Sequence, residues 1–369
     1  MFSKSFSLIL VYIVTVFNIM ILTSPILAIL VPFMKFDNNT LIISYTIYQK
    51  IKLSIFFLAF VISFLMLFYL LLDFLFGFSV SYSLKGCKRY EKIKDYDFLT
   101  GIFDQVKDKF DERNVRLYIK VSNEINAFAI SSLGRKAMVL TSGLINSFSQ
   151  QSRDSKDFLY SLRSIMAHEM SHLVNKDFLP SFLIMANQKV TNFVSKILFI
   201  FFNIIIQALN FIPEVGIYFS QFISRLYSII DLVLTLFNRI VVYNIYEFLR
   251  RFISRSVEFR CDFQAAKAFG GKNIALALSM LGSSGYFTIF STHPRTKTRV
   301  KKVENVKISD AIVRPRFLDS IASYFSLLFL MIICLYFAKQ AGIDLMVRAY
   351  IMDHEILYKK LSKLLQLIR

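Results

Sequence analysis

The sequence predicts a mainly α-helical integral membrane protein, with four to five transmembrane helices and an α+β lobe on the cytoplasmic side. Three observations carry that reading. Of 369 residues, 55% are apolar and the mean hydropathy is +0.53, more apolar than an ordinary soluble domain. The apolar residues lie in long uncharged runs. The net charge of +19 lies largely beside those runs.

The runs define the spans. Ser5 to Met34 carries no charge, Leu53 to Leu72 carries none and continues past Asp73 to Leu84, and Ser320 to Ala338 is again uncharged. A bilayer core takes about 20 apolar residues in a helix, and lipid obliges the backbone to satisfy its own hydrogen bonds. The first run is too long for a signal-peptide core and lacks a small-residue cleavage site, so it reads as a retained span. Ile197 to Pro213 is uncharged, whereas Val215 to Tyr246 holds Arg225, Asp231 and Arg239. These read as two further spans or as an interfacial or re-entrant pair, since charge at membrane depth faces protein or water.

Charge then orients the chain. Lys85 to Asp95, "KGCKRYEKIKD", has five positive and two negative residues, which reads as cytoplasmic. Lys35 to Lys52 then becomes an external loop, although its three lysines argue mildly the other way. Arg250 to Arg316 holds 14 basic and 4 acidic residues, again a cytoplasmic signal. Clustered cations also mark nucleic-acid surfaces, but no recognition motif accompanies them here. The implied partner is the lipid bilayer, with no nucleic acid. Cys87, Cys261 and Cys334 are too scattered for a disulfide framework or a cysteine zinc site, which fits a reducing compartment.

The segments follow in order: two spans in 1–85, a lobe in 86–190, a membrane or re-entrant helix pair in 191–249, a second lobe piece in 250–317, and a last span with an amphipathic tail in 318–369. In the first lobe, "YDFLTGIFDQVKDKFDE" has helical spacing and "VRLYIKV" alternates as a strand does. "INAFAI" and "KAMVLTSG" flank "SSLGR", a hairpin with Gly134 in its turn. Asp157 to Lys176 reads as one amphipathic helix. The tail "LYKKLSKLLQLIR" has leucines at helical spacing with lysines between, as an interfacial helix does. His354, in "MDHEI", belongs to that region rather than to a site.

The helix of Asp157 to Lys176 carries "AHEMSH". Residues four apart share a helix face, so His168 and His172 can aim ring nitrogens at one metal ion. Glu169 stands about 100° round the helix, where it can reach water without becoming a ligand. His-Glu-x-x-His on a helix is a zinc-peptidase signature for this reason. Catalytic zinc takes three protein ligands and one open position. "SRSVEFRCDFQAAKAFGG" reads as a helix closed by Gly270 and Gly271, and it sets Glu258 and Asp262 four apart. Glu258 can be the third ligand, and Asp262 can hold the far nitrogen of a ligand histidine. A solvated acidic stripe is the alternative. Because the two halves must meet at one ion, the chain between them crosses the membrane an even number of times or not at all. Cys261 reads as a small buried side chain.

These pieces resemble the HtpX family of membrane zinc metalloproteases, of gluzincin type and related to the CAAX prenyl proteases. The likeness runs over roughly residues 1 to 305 and rests on "AHEMSH" with "NKD" after it, "SRSVEFRCD", "INAFA" and "STHPRTKTR". It implies a zincin-like protease domain with one Zn2+ per chain on His168, His172 and Glu258, with Asp262 behind them and Glu169 catalytic. It also nominates His293 and Arg299 as groups near the reacting carbonyl. Asn126, Ala127, Phe128 and Ala129 are nominated as an edge strand for an extended substrate, an ordinary core strand being the alternative. The implied function is endopeptidase cleavage of misfolded or damaged membrane proteins, or other unfolded polypeptides, at the cytoplasmic face of a bacterial inner membrane. Two rival readings are a non-catalytic scaffold that keeps the fold, which the intact Glu169 opposes, and a prenyl-protein processing protease, for which too few spans are visible. In this sequence Lys176 stands where the family often has glycine, Arg295 replaces a second proline and Cys261 replaces the usual alanine.

Overall fold

The computed structural model describes residues 4–30, 35–37, 40–42, 45–132, 134–213, 215–236, 243–281, 294–315 and 317–352. The nominated His293 lies outside these residues, as do His354 and the tail "LYKKLSKLLQLIR". The chain forms two compact units, each assembled from three stretches. The first comprises 1–14, 68–187 and 241–326, and the second comprises 15–67, 188–240 and 327–369.

The first unit holds a four-stranded sheet and the helices that carry the motifs. Its strands are β3 (Cys87–Arg89), β4 (Val115–Lys120), β5 (Ala127–Ser131) and β6 (Lys136–Thr141), in the order β3-β4-β6-β5; a separate two-stranded ladder pairs β1 (Lys35–Asp37) with β2 (Thr40–Ile42). β4 runs parallel to β6, while β5 folds back antiparallel on β6 as the expected hairpin. β5 is therefore an edge.

Period-two alternation gives the sheet two faces. Val115, Leu117, Ile119, Met138 and Leu140 join the core of this unit. They pack with α4 (Leu99–Phe110), α5 (Ser142–Gln151), α6 (Ser155–Val174), the end of α9 (Tyr243–Phe269) and α10 (Gly271–Met280). α4 contributes Leu99, Ile102, Phe103, Val106 and Phe110, the three- and four-residue spacing of an amphipathic helix.

Local signals set the ends of the motif helices. The Asp154 side chain accepts from the Asp157 N–H at 2.7 Å and starts α6. Thr141 does the same for α5 through the Leu144 N–H at 3.2 Å. α6 ends as Lys176 adopts φ 54°, a left-handed conformation in which the Asp177 N–H bonds the His172 carbonyl at 3.1 Å. This is the position where the resemblance puts glycine. α9 ends at Gly270 (φ 99°), and Gly271 then allows a close approach. A Cβ there would stand 1.9 Å from the Val303 carbonyl oxygen, so α11 (Thr296–Val303) closes against α10.

Among the described residues, two helical stretches are long and apolar enough to cross a membrane: Tyr48–Phe76 within α2 (Tyr45–Phe76) and Phe182–Asn210 within α7 (Phe178–Asn210). A third exists if Leu328–Gln340, the end of α12 (Phe317–Gln340), and Ile343–Met352, bent by 70°, form one span. Gly342 at φ 68° makes that bend. Two to three spans are thus visible against the four to five expected. The N-terminal run is the helix α1 (Lys4–Leu30), but its apolar stretch among described side chains is the shorter Ile9–Thr23. α8 (Val215–Leu236) carries Gln221, Arg225 and Asp231, and its side chains are described only in part. Asp73, the charge inside the second run, is buried. It accepts from the Ser79 N–H at 2.7 Å and the Ser79 hydroxyl at 2.9 Å, fixing the break at Gly77 between α2 and α3 (Phe78–Ser83).

The second unit has its own apolar contacts. Ile19 and Leu22 of α1 cluster with Ala59, Ile62 and Met66 of α2, Val190 and Val194 of α7, and Phe337 of α12. Within it Asn18 donates to the Thr191 hydroxyl at 2.8 Å.

Candidate active site

α6 is buried on almost every side from Ser161 to Leu173, so its motif lies in the interior of the first unit. α9 packs along it and brings Glu258 and Asp262 to the histidines. His168 Nε2 and His172 Nε2 are 3.2 Å apart. Glu258 Oε2 lies 3.4 Å from His168 Nε2, and Glu258 Oε1 lies 3.8 Å from His172 Nε2. The four candidates read from two separate stretches, His168, His172, Glu258 and Asp262, are thus brought together.

Each imidazole is held from behind. His168 Nδ1 faces Asp262 Oδ1 at 2.9 Å, and Arg299 grips the same carboxylate with two 2.7 Å hydrogen bonds from Nε and Nη2. His172 Nδ1 faces Asp177 Oδ2 at 3.0 Å, and Arg260 Nη2 donates to that oxygen. Two histidine–aspartate–arginine series therefore converge from different elements. Asp177 and Arg260 escaped the sequence reading. Arg260 had looked like one more topological charge, and Asp177 only like the end of "NKD".

The arrangement fits a metal ion. An aspartate behind each ring places the imidazole proton on Nδ1 and leaves a lone pair on Nε2. Two such lone pairs 3.2 Å apart, with a carboxylate beside them, repel, and either a proton or a metal ion between them relieves the repulsion. Ligand atoms about 2.0–2.1 Å from a tetrahedral zinc stand about 3.3 Å from one another, close to the 3.2 Å between the two Nε2 atoms and the 3.4 Å from His168 Nε2 to Glu258 Oε2. The three ligand atoms all lie within 4.8 Å of one another.

Electrostatics follow from burial and these partners. Burial alone would lower the pKa of His168, but Asp262 and Glu258 outweigh it and lift the value to about 10. Burial likewise works against His172, and Cys261 and Asp177 raise it well above the ordinary range. Burial would raise Asp262, but Arg299 and His168 bring it below the usual carboxylate range. Glu169 is buried, and burial pushes its carboxyl up. The two histidines and a backbone hydrogen bond from Ala129 work in the opposite direction.

That Ala129 contact ties the edge strand to the site. Asn126 faces β6: its N–H bonds the Thr141 hydroxyl at 3.1 Å, and its carbonyl accepts from the Thr141 N–H at 3.1 Å. Antiparallel pairs alternate between bonded and open, so the main-chain groups of Ala127 and Ala129 turn to the free edge. Those of Asn126 and Phe128 turn inward. The ordered strand begins at Ala127 rather than Asn126.

A buried amide cluster locks α6 onto α9. Ser171 Oγ donates to Gln264 Oε1, Asn175 Nδ2 donates to the same oxygen at 2.7 Å, and Gln264 Nε2 donates to the Arg314 carbonyl at 3.2 Å. No spacing rule announced these three. Arg299 is buried, with Nε and Nη2 engaged by Asp262 and Nη2 also 3.1 Å from Glu258 Oε2. Its described contacts are thus with Asp262 and with the candidate ligand Glu258.

An HExxH helix joined to a glutamate from a second helix, over a small sheet with an open edge, defines a metallopeptidase. A model of peptidase family M48 matches residues 102–307, more than half of the chain, and the chain belongs to that family. The match agrees with the resemblance to the HtpX metalloproteases, and it spans both halves of the site. A search of curated proteins gives no match.

Proposed function

We propose that the chain is a membrane-embedded zinc endopeptidase that holds one zinc on His168, His172 and Glu258 and uses Glu169 as its base. The observation that carries this reading is the closeness of His168 Nε2, His172 Nε2 and the Glu258 carboxylate, with Glu169 one residue along the same helix. Zinc, when bound, supplies a Lewis acid that polarises the scissile carbonyl and makes water nucleophilic near neutral pH. Glu169 accepts the proton of the attacking water and returns it to the leaving nitrogen as the C–N bond breaks. Ala127, and Ala129 through its carbonyl, hold an extended substrate by main-chain pairing at the β5 edge. Asp262 and Asp177 orient the two imidazoles. Arg299 acts as a positioning residue through Asp262 and Glu258, and His293 remains the nominated partner for the developing oxyanion.

The charge of Lys85 to Asp95 and of Arg250 to Arg316 supports a cytoplasm-facing site in a bacterial inner membrane. The family resemblance supports misfolded or damaged membrane proteins as substrates. The test is metal analysis and cleavage of an unfolded membrane protein by wild type and Glu169→Gln. Wild type should carry one zinc and cut. Glu169→Gln should keep the zinc and lose cleavage, and undiminished cleavage by it would refute the mechanism.

A further inference from the structure

A cavity of about 750 Å3 lies in the first unit, lined by α3, β3 and β4, and by the turn that leads into β6. Six cations line it: Arg89, Lys107, Arg113, Arg116, Arg135 and Lys136. Glu91 is the one carboxylate in the lining. Three of the cations are already matched, Arg89 by Glu91 at 3.3 Å, Lys107 by Asp104 at 2.6 Å and Lys136 by Glu112. Among the described residues no carboxylate pairs with Arg113, Arg116 or Arg135. Three unmatched guanidinium groups around one hollow make an anion site, and their planar forks suit phosphate oxygens.

Position says where the phosphate comes from. Val80, Ser81 and Leu84 line the cavity, a few residues after Phe76, where the candidate span of α2 ends. Arg135 is seated on the break itself. A Cβ on Gly77 would lie 2.7 Å from Arg135 Cδ, and one on Gly134 would lie 3.3 Å from the Phe74 carbonyl oxygen. The β5–β6 turn is therefore packed closely against the end of the span, where Gly77 adopts φ 63°. Phe76, Phe78 and Tyr82 are exposed around this point, Tyr82 by 81%. A tyrosine in such a position sits at the headgroup level of a bilayer.

We propose that this cavity binds the phosphate of an anionic phospholipid headgroup, with Arg113, Arg116 and Arg135 as its ligands. The inference depends on a membrane location but not on zinc or on cleavage. Glu169→Gln should therefore bind the lipid as wild type does, even if the peptidase reading fails.

The experiment uses the full chain in nanodiscs of phosphatidylcholine with or without phosphatidylglycerol, and native mass spectrometry reads the retained lipids. Wild type should retain phosphatidylglycerol in preference. Each cation near an anionic surface strengthens binding about fivefold, so the combined variant Arg113→Gln, Arg116→Gln and Arg135→Gln should lose on the order of a hundredfold. Lys107→Gln, whose charge Asp104 already balances, should lose much less. Zinc content and melting temperature in pure phosphatidylcholine report that the variants are folded. Displacement of the lipid by glycerol phosphate would support the phosphate assignment. Three results would overturn the proposal. They are equal retention of both lipids, unchanged retention by the triple variant, and binding of free phosphate or polyglutamate without binding of phosphatidylglycerol.

Discussion

Asp177 stands 3.0 Å from Nδ1 of His172, and it comes from the turn that ends the helix carrying that histidine. The left-handed Lys176 makes the contact possible by turning the chain back on itself. The second candidate ligand, His172, is thus held by its own helix end, whereas His168 is held by Asp262 from α9.

Asp177→Asn should weaken zinc binding about 10- to 100-fold, the usual effect of losing a partner behind a ligand histidine. It removes the charge that balances Arg260 but keeps an acceptor for Nδ1. Competition with a chromophoric chelator measures the affinity, and an unchanged zinc affinity would show that Asp177 has only a structural part.

The metal-free protein should lose stability as pH rises. The folded pKa of His168, about 10, lies above its ordinary value of 6.5. The charged ring therefore favours the folded state below 6.5, and that contribution disappears as pH rises through about 10. Melting curves of chelator-treated protein across this window should show the fall. Zinc-loaded protein should not, because its histidines are already unprotonated, and zinc uptake at neutral pH should release protons.

Gly271→Ala should destabilise the first unit by roughly 1–3 kcal/mol, since the new methyl meets backbone that cannot give way easily. The Val303 carbonyl would be displaced and α11 with it, carrying Arg299 away from Asp262. Lower zinc retention together with a lower melting temperature is the expected pair of results.

Lys176→Gly should do the opposite. A left-handed non-glycine residue is strained by roughly 1–2 kcal/mol, and the greater freedom of unfolded glycine offsets about half of that. A net gain of up to about 1 kcal/mol should appear in thermal unfolding, with zinc affinity unchanged.

The site was readable where chemistry imposes local spacing. His168 and His172, and likewise Glu258 and Asp262, announce themselves because a helix repeats every three to four residues. The hairpin, the β4 strand and the end of α9 at Gly270 were readable for similar local reasons. Asp177, Arg260, Ser171, Asn175 and Gln264 were not, because their meaning arises only when α6 and α9 lie together. Asn126 was placed on the substrate strand by its neighbours in sequence. Only the pairing with Thr141 shows that its main chain is turned inward. Among the described residues two to three of the expected spans are visible, and the segments expected to supply the others, α1 and α8, have side chains described only in part.

The first unit is assembled from 1–14, 68–187 and 241–326, with His168 and His172 on the second of these stretches and Glu258 on the third. A ribosome therefore delivers His168, His172 and Glu169 before Glu258, and the intervening segment is synthesised before the four can be brought together. On the proposed reading, a chain made only as far as the second of these stretches holds an incomplete site, and the order of synthesis itself delays the completion of the protease.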